Sequence, residues 1–413
     1  MEAFFNLKTP DEVYKIIDGF SPVGEETVPL EDALGRVLSR DLFAPEDLPD
    51  FFKSTMDGYA VQAKSTFGAT ESLPALLEIA GEVSMGEAEE IGLRAGQAVK
   101  IPTGGMLPEG ADGVVMVEYC TLLDAGTLEV SRAISPLENI IQPGDDFKQG
   151  TAFLPMGKCL RPQDLGVLAG LGFCEIPVFR KPKVAILSTG DEIVPVSQKP
   201  NPGQVRDINR YTLGALCRNM GADPIYMGVC SDHFETLREK AEKALLKADA
   251  LWISGGSSVG TRDFTLNVFE TLPDFTLLVH GISLSPGKPT IIGRSGAKPL
   301  IGLPGHPASA LVVAEVFMTR MIAMLSGDTN AQKGVHTFKQ ATLSQNIPSS
   351  AGREDYVRVK LEKDGERLTA IPLFGKSGLI STLVGADGLV RIDMNTEGLY
   401  EGQKIDVMLF SHN

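Results

Sequence analysis

Three segments of this chain set small residues beside carboxylates. Ser188-Thr189-Gly190-Asp191-Glu192 ends one apolar run, Ser231-Asp232 follows a second, and Ser254-Gly255-Gly256-Ser257-Ser258-Val259-Gly260 follows a third, with Asp263 just behind. Glycines let a phosphate or oxyanion approach backbone N–H groups, and the N-terminus of a following helix favours negative charge. Carboxylates beside such a loop repel a phosphate unless a cation lies between them. Mg²⁺ suits that place, since one or two carboxylates and the substrate's own phosphates hold it. The plainer alternative is that Asp191, Asp232 and Asp263 cap helices, as Asp often does. Three convergent cases at strand ends favour the chemical reading. Ser285-Pro286-Gly287-Lys288-Pro289 offers a cation, Lys288, on a loop that two prolines stiffen. Leu303-Pro304-Gly305-His306-Pro307 is a second stiff turn. His306 could act there as a base, although a lone turn histidine more often has a structural role.

Other chemistries are disfavoured. Five residues separate Gly281 from Gly287 and Pro289 follows Lys288, which does not match a phosphate-binding P-loop; no G-x-G-x-x-G is present either. The five cysteines (Cys120, Cys159, Cys174, Cys217 and Cys230) form no C-x-x-C pair, and the five histidines are scattered, so neither set has zinc-site spacing.

Positioning such loops calls for a sheet backed by helices, and the chain from Lys183 alternates accordingly. Strands are expected at 183–188, 224–229, 250–254, 276–279 and 299–303, with helices at 211–220, 234–247, 264–271 and from Pro307. That pattern predicts a doubly wound parallel sheet whose ligands bind beyond the carboxyl ends of the strands. Upstream, Thr9-Pro10-Asp11-Glu12 opens a helix, and a second short helix fits 30–38. Residues 51–137 look like an inserted β-rich module. A helix over 161–171 and a strand over 175–179 follow it. Downstream, 356–363 alternates apolar and polar residues before an Asp364-Gly365 hairpin turn, which suggests a small β-barrel or sandwich.

The whole chain fits this multidomain α/β picture. At 413 residues the length prior is about three domains, and 44 glycines with 26 prolines argue against a long-helix protein. A net charge of −15 disfavours nucleic acid or an anionic membrane as partner. Residues 1–150 carry 10 basic and 27 acidic side chains, whereas residues 151–326 carry 18 and 15, so an anion is less repelled by the middle third. The N-terminus lacks signal-peptide character, and Ala308–Leu325 is interrupted by Glu315 and Arg320. A reduced cytoplasmic protein is expected.

Taken in order, the motifs resemble the MoeA family, the molybdopterin molybdenumtransferases that include the gephyrin E domain. The resemblance rests on STMDGYAV (54–61), KIPTG with EGAD and VVMVE (100–118), PGDD (143–146), STGDE (188–192), SGGSSVGTRD (254–263), SPGKP (285–289) and GLPGHPASA (302–310). It implies a homodimer of elongated, L-shaped subunits. Their four domains would be an N-terminal linker and dimerisation domain (1–50 and 138–178), the inserted β-rich domain (51–137), a molybdopterin-binding α/β domain (179–327) and a C-terminal β-barrel (328–413). The implied activity inserts molybdate into adenylylated molybdopterin and releases AMP, with Mg²⁺, in molybdenum cofactor biosynthesis. The molybdopterin adenylyltransferase and other cofactor-synthesis proteins are the implied partners.

Carried over by motif, Asp191, Glu192, Asp232 and Asp263 would hold the metal, with Asp191, Glu192 and Asp263 catalytic. Asp57, Thr103 and Asp146 would serve the same cleft from the other domains, across the dimer. Ser188, Gly255, Gly256, Ser257, Lys288, Pro304 and Pro307 would bind substrate. The chain departs from the family pattern at Ile141, where an Arg is usual, at Asp145 in place of Glu, at Ser285 in place of Lys and at His306 in place of Asn. A paralogue using tungstate, or a gephyrin-like scaffold module, are the alternatives.

Overall fold

A computed structural model of the chain describes residues 7–86, 91–255, 261–330 and 336–410. The chain forms two compact units. One comprises residues 1–40, 156–161 and 175–413, the other residues 41–155 and 162–174.

The second unit is built on a six-stranded sheet in the order Gly113–Met116, Gly58–Val61, Gln97–Ile101, Ala75–Glu82, Thr127–Val130, Cys120–Leu122. Side chains alternate across a strand. Tyr59, Val61, Ala98 and Val115 therefore enter one buried cluster, while Ala60, Val99 and Val114 enter another. Gly58–Val61 runs antiparallel to Gln97–Ile101 with Gly58 opposite Ile101. That register brings the loop before the first strand, carrying Asp57, beside the loop after the second, carrying Thr103.

In the first unit, a helix at Pro10–Ile17 starts with the expected capping box between Thr9 and Glu12. The short helix expected over 30–38 is only a 3₁₀ turn, Leu30–Asp32. Gly35 has φ +71°, and Val37 and Leu38 then make β-bridges to Cys159 and Val178, so the chain leaves the helical region.

The core of this unit is a second six-stranded sheet: β1 (Lys183–Thr189), β2 (Asp223–Cys230), β3 (Ala250–Ser254), β4 (Phe275–His280), β5 (Ile291–Ser295) and β6 (Lys298–Leu303). Its order is β2-β1-β3-β6-β5-β4. The strands β2, β1, β3 and β6 are parallel, as expected; β5 runs the opposite way, pairing antiparallel with β6 and with β4, so β4 points in the same direction as the parallel four. The reading from sequence had no strand at β5, whose Ile291-Ile292-Gly293 is a short run between a Pro-rich loop and a turn. Helices α1 (Asn209–Asn219), α2 (Phe234–Leu245), α3 (Thr261–Glu270) and α4 (Pro307–Val313) flank the sheet. Val184, Ile186, Trp252 and Ile301 pack with α1 and α4 on one face; Ala185, Leu187, Leu251 and Ile253 pack with α2 and α3 on the other.

Helix α4 continues through a π-helical turn, Ala314–Met318, into Thr319–Leu325. By length and composition Pro307–Leu325 is apolar enough to cross a membrane, despite Glu315 and Arg320, but 83% of its apolar window is buried in this core.

Strands Phe338–Leu343, Glu354–Asp364, Arg367–Pro372, Gly388–Ile392 and Lys404–Leu409 close into a five-stranded barrel, because Glu354–Asp364 pairs with both Arg367–Pro372 and Gly388–Ile392. Asp364 pairs with Arg367, so the hairpin turn is Gly365-Glu366, one residue later than expected, with Gly365 at φ +58°.

Candidate active site

The carboxyl ends of β1, β2, β3 and β6 lie along one edge of the sheet. Ile291 of β5 is opposite Gly302 of β6, so the loop 281–290 that enters β5 lies at that same edge. The described parts of the motifs singled out between 188 and 307 are thus brought to one side. The order β2-β1-β3 makes a topological switch between β1 and β3, where a crevice opens beyond the strands.

Asp191 and Asp232 do not cap helices. The Asp191 Oδ1 accepts from the backbone N–H of Asp232 at 3.1 Å, and Thr189 Oγ1 donates to Asp232 Oδ1 at 2.7 Å. The helix after Asp232 begins at Phe234, with His233 as its N-cap and no side-chain cap bond. Asp191 and Asp232 therefore stitch the β1 and β2 ends together. Glu192 is exposed, and its carboxylate folds back over Gly190, at 2.8 Å from where a Cβ would stand. Burial raises the Cys230 thiol; Lys240 opposes the rise, and Asp232 and Asp191 add to it, so this cysteine is a protonated neighbour rather than a thiolate nucleophile.

Gly255 closes against β1: a Cβ there would stand 2.8 Å from Thr189 Cγ2. Gly256, Ser257 and the side chain of Asp263 lie outside the described residues. Ser188 is 1% exposed and its hydroxyl donates to Asp207 Oδ1 at 2.9 Å, which turns it into the fold. Pro304 is buried, Pro307 half-buried and His306 exposed. The last two line a cavity of about 320 Å³ with Glu192, Arg206, Asp207 and Asn209.

Lys288 is exposed on its stiff loop. Gly287, at φ +126°, lets the loop press on α4; a Cβ would fall 2.4 Å from Val313 Cγ2. Ser285 pairs in parallel with Asp355 of the barrel. Together these contacts shape a cavity of about 370 Å³ lined by Ser285, Lys288, Ser309 and the turn Gly352-Arg353. Two cations and two hydroxyls around such a volume form a seat for a small oxyanion. The sequence reading missed Arg353 and Ser309. For Ser309 the signal was its place in GLPGHPASA (302–310), and for Arg353 it was the turn Ser350-Ala351-Gly352-Arg353, in which Gly352 has φ +92°.

In the other unit, Asp57 Oδ1 accepts from the Thr103 N–H at 2.7 Å, and that bond, with one to the Thr103 side chain, holds the Asp57 carboxyl below the usual range. Asp146 is exposed beside Asp145, whose carboxylate accepts from the Gln142 N–H at 2.7 Å.

Among the described residues, no group of three or more His, Cys, Asp or Glu side chains could enclose a metal ion. The pair Asp191 and Asp232 nonetheless fits Mg²⁺, which keeps several waters and needs only one or two carboxylates beside a substrate phosphate.

Three family models match the chain: "MoeA N-terminal region (domain I and II)" over residues 8–172, "Probable molybdopterin binding domain" over residues 185–323 and "MoeA C-terminal region (domain IV)" over residues 340–410. A molybdopterin molybdenumtransferase of Haemophilus influenzae is 33% identical over 393 residues, covering 95% of this chain and 95% of the relative. One from Bacillus subtilis is 31% identical over 406 residues, covering 97% and 93%. Two solved molybdopterin biosynthesis MoeA proteins of Pyrococcus horikoshii match with TM-scores of 0.84 and 0.80 at 36% and 29% identity, covering 98% of this chain and 99% and 100% of theirs.

Proposed function

This chain belongs to the MoeA family, and we infer from that membership and its strand-edge site that it is a molybdopterin molybdenumtransferase of molybdenum cofactor biosynthesis. The reaction we propose inserts molybdate into adenylylated molybdopterin and releases AMP. The observation that carries it is the cavity of about 370 Å³ formed by Ser285, Lys288, Ser309 and Arg353 at the sheet's carboxyl edge.

In this reading Lys288 and Arg353 hold the oxyanion by charge while Ser285 and Ser309 hydrogen-bond to it. Gly255, Gly256 and Ser257 bring backbone N–H groups to the pterin phosphate, and Pro304 and Pro307 shape the pocket wall. Asp191 and Asp232, with Glu192 and Asp263, would hold Mg²⁺, which when bound would neutralise the phosphates. No thiolate or metal-ligand cluster is asked of the protein, because the dithiolene sulfurs of the substrate capture the molybdenum. The work left to the side chains is to align phosphate and oxyanion and to stabilise the charge that leaves with AMP. We assign Asp57, Thr103 and Asp146 to the same chemistry from across a cytoplasmic homodimer, and Mg²⁺ as its ion.

Turnover of adenylylated molybdopterin with molybdate and, separately, with tungstate tests this. AMP release that requires molybdate and a divalent ion is expected. Protein that binds the pterin but releases no AMP with either oxyanion would refute the transferase reading.

A further inference from the structure

Residues 190–208 join the β1 end to α1 and are held by a short parallel ladder, Ile193–Val194 with Val205–Arg206. The Asp207 N–H donates to Val194 O at 2.9 Å, so the ladder that starts beside Glu192 ends on Asp207. From there two buried side chains reach the strand ends. Asp207 is 4% exposed; its Oδ1 accepts from Ser188 Oγ at 2.9 Å and from the Arg210 N–H at 3.2 Å. Asn209 is 5% exposed; its Nδ2 donates to Ser254 Oγ at 2.5 Å and to Gly305 O at 2.8 Å.

Those few bonds join the last residues of β1 and β3, the Pro304–Pro307 turn after β6 and the start of α1. They also leave Asp207 Oδ2 and Asn209 Oδ1 buried with no partner among the described groups. An orphaned buried oxygen costs free energy that an apolar residue would not. A fold that needed only packing would not choose Asp and Asn here.

Resting on the functional reading above, we propose that Asp207 and Asn209 are positioning residues for the transferase reaction, a clamp that sets the spacing of the three strand-end loops. The clamp acts through other residues. Ser188 precedes Asp191 and Glu192 on the same turn, Ser254 precedes Gly255, and Gly305 lies between Pro304 and Pro307. A shift of about 1 Å in a positioning group can cost two orders of magnitude in rate. The oxyanion cavity is lined by none of the clamp's side chains, so the clamp governs kcat rather than oxyanion affinity.

The test is Asn209→Asp, which keeps the side chain's shape and removes its donor, run beside Asn209→Ala, Ser254→Ala and the double variant. Expected is a ten- to hundredfold fall in kcat for AMP release per folded molecule, with the KM for molybdate within about threefold of wild type. The double variant should lose no more than the worse single one, because both remove the same bond. Should the Asn209 variants fail to fold, Ser188→Ala removes one donor to Asp207 and should show the same split in smaller measure. Turnover per folded molecule within twofold of wild type, or additive losses in the double variant, would overturn the clamp alone. Wild-type protein that releases no AMP would overturn the functional reading and the clamp with it.

Discussion

Replacing Lys288 by Ala asks how far charge on the stiff loop decides oxyanion binding. The side chain is exposed at the rim of a cavity whose other cation is Arg353, and Arg353 also bridges Asp355 at 3.1 Å. Lys288 and Arg353 together supply the positive charge that this cavity offers a ligand. A hydrogen bond to a charged group is worth roughly 1.5–3 kcal/mol. At about 1.4 kcal/mol per decade, losing it should weaken molybdate binding by about ten- to a hundredfold. The loop itself should hold, because Gly287, Thr290 and the Ser285–Asp355 pairing fix it independently; Thr290 Oγ1 donates to Gly287 O at 2.7 Å. Stability should therefore move by no more than about 0.5 kcal/mol, as for surface substitutions generally. Calorimetric titration with molybdate at fixed ionic strength, paired with thermal melts, reads both quantities. Ionic strength must be matched because exposed charges are screened over roughly 8 Å at physiological salt. Undiminished molybdate affinity together with a clear fall in Tm would refute the reasoning and make Lys288 a structural residue.

Other expectations follow from the same geometry. Gly287→Ala forces a side chain onto φ +126° and against Val313; it should cost about 1–3 kcal/mol, and a melt equal to wild type would show the loop to be soft. Burial pushes Glu315, 5% exposed in the π-helical turn, up to about 7 from 4.5. The folded state then binds the proton more tightly than the unfolded chain, so stability falls as pH rises from about 4.5 to 7 and levels off above. Glu315→Gln should remove that loss, which has an upper bound of about 3 kcal/mol, and so gain Tm over wild type at pH 8 and little at pH 5. An equal gain at both pH values would sink this account. The homodimer should register in light scattering as twice the chain mass at micromolar concentration, and a stable monomer there would contradict it.

Local chemistry was readable where a residue acts through its own backbone. Thr9-Pro10-Asp11-Glu12 makes its capping box within four residues. Continuous apolar runs such as Val184–Leu187 and Leu251–Ile253 announce strands buried on both faces, because a parallel sheet is covered by helices on both sides. The glycine-rich and acidic ends of those strands could then be assigned to one edge, since in a parallel sheet successive strand ends fall together. Where the pattern misled, a single residue outweighed periodicity. Gly35 at φ +71° ended a helix-like stretch after one turn, and Gly365 at φ +58° set the hairpin turn one position later than Asp364-Gly365 suggested.

Tertiary structure decided which of those side chains meet. Ser188, Asp207 and Asn209 share no motif, yet their bonds span separations of 19, 45 and 96 residues, since Asn209 reaches both Ser254 and Gly305. Arg353 is an unremarkable turn residue until the pairing of Ser285 with Asp355 sets the barrel's first turn beside Lys288. Asp191 and Asp232 could as well have been helix caps, and only the adjacency of β1 and β2 lets each bond the other's loop. Spacing along a chain specifies residues that share a helix turn or a strand face, because those distances follow from the backbone's own repeat. Distances between strand ends follow instead from sheet order and packing, which arise only when the whole core closes.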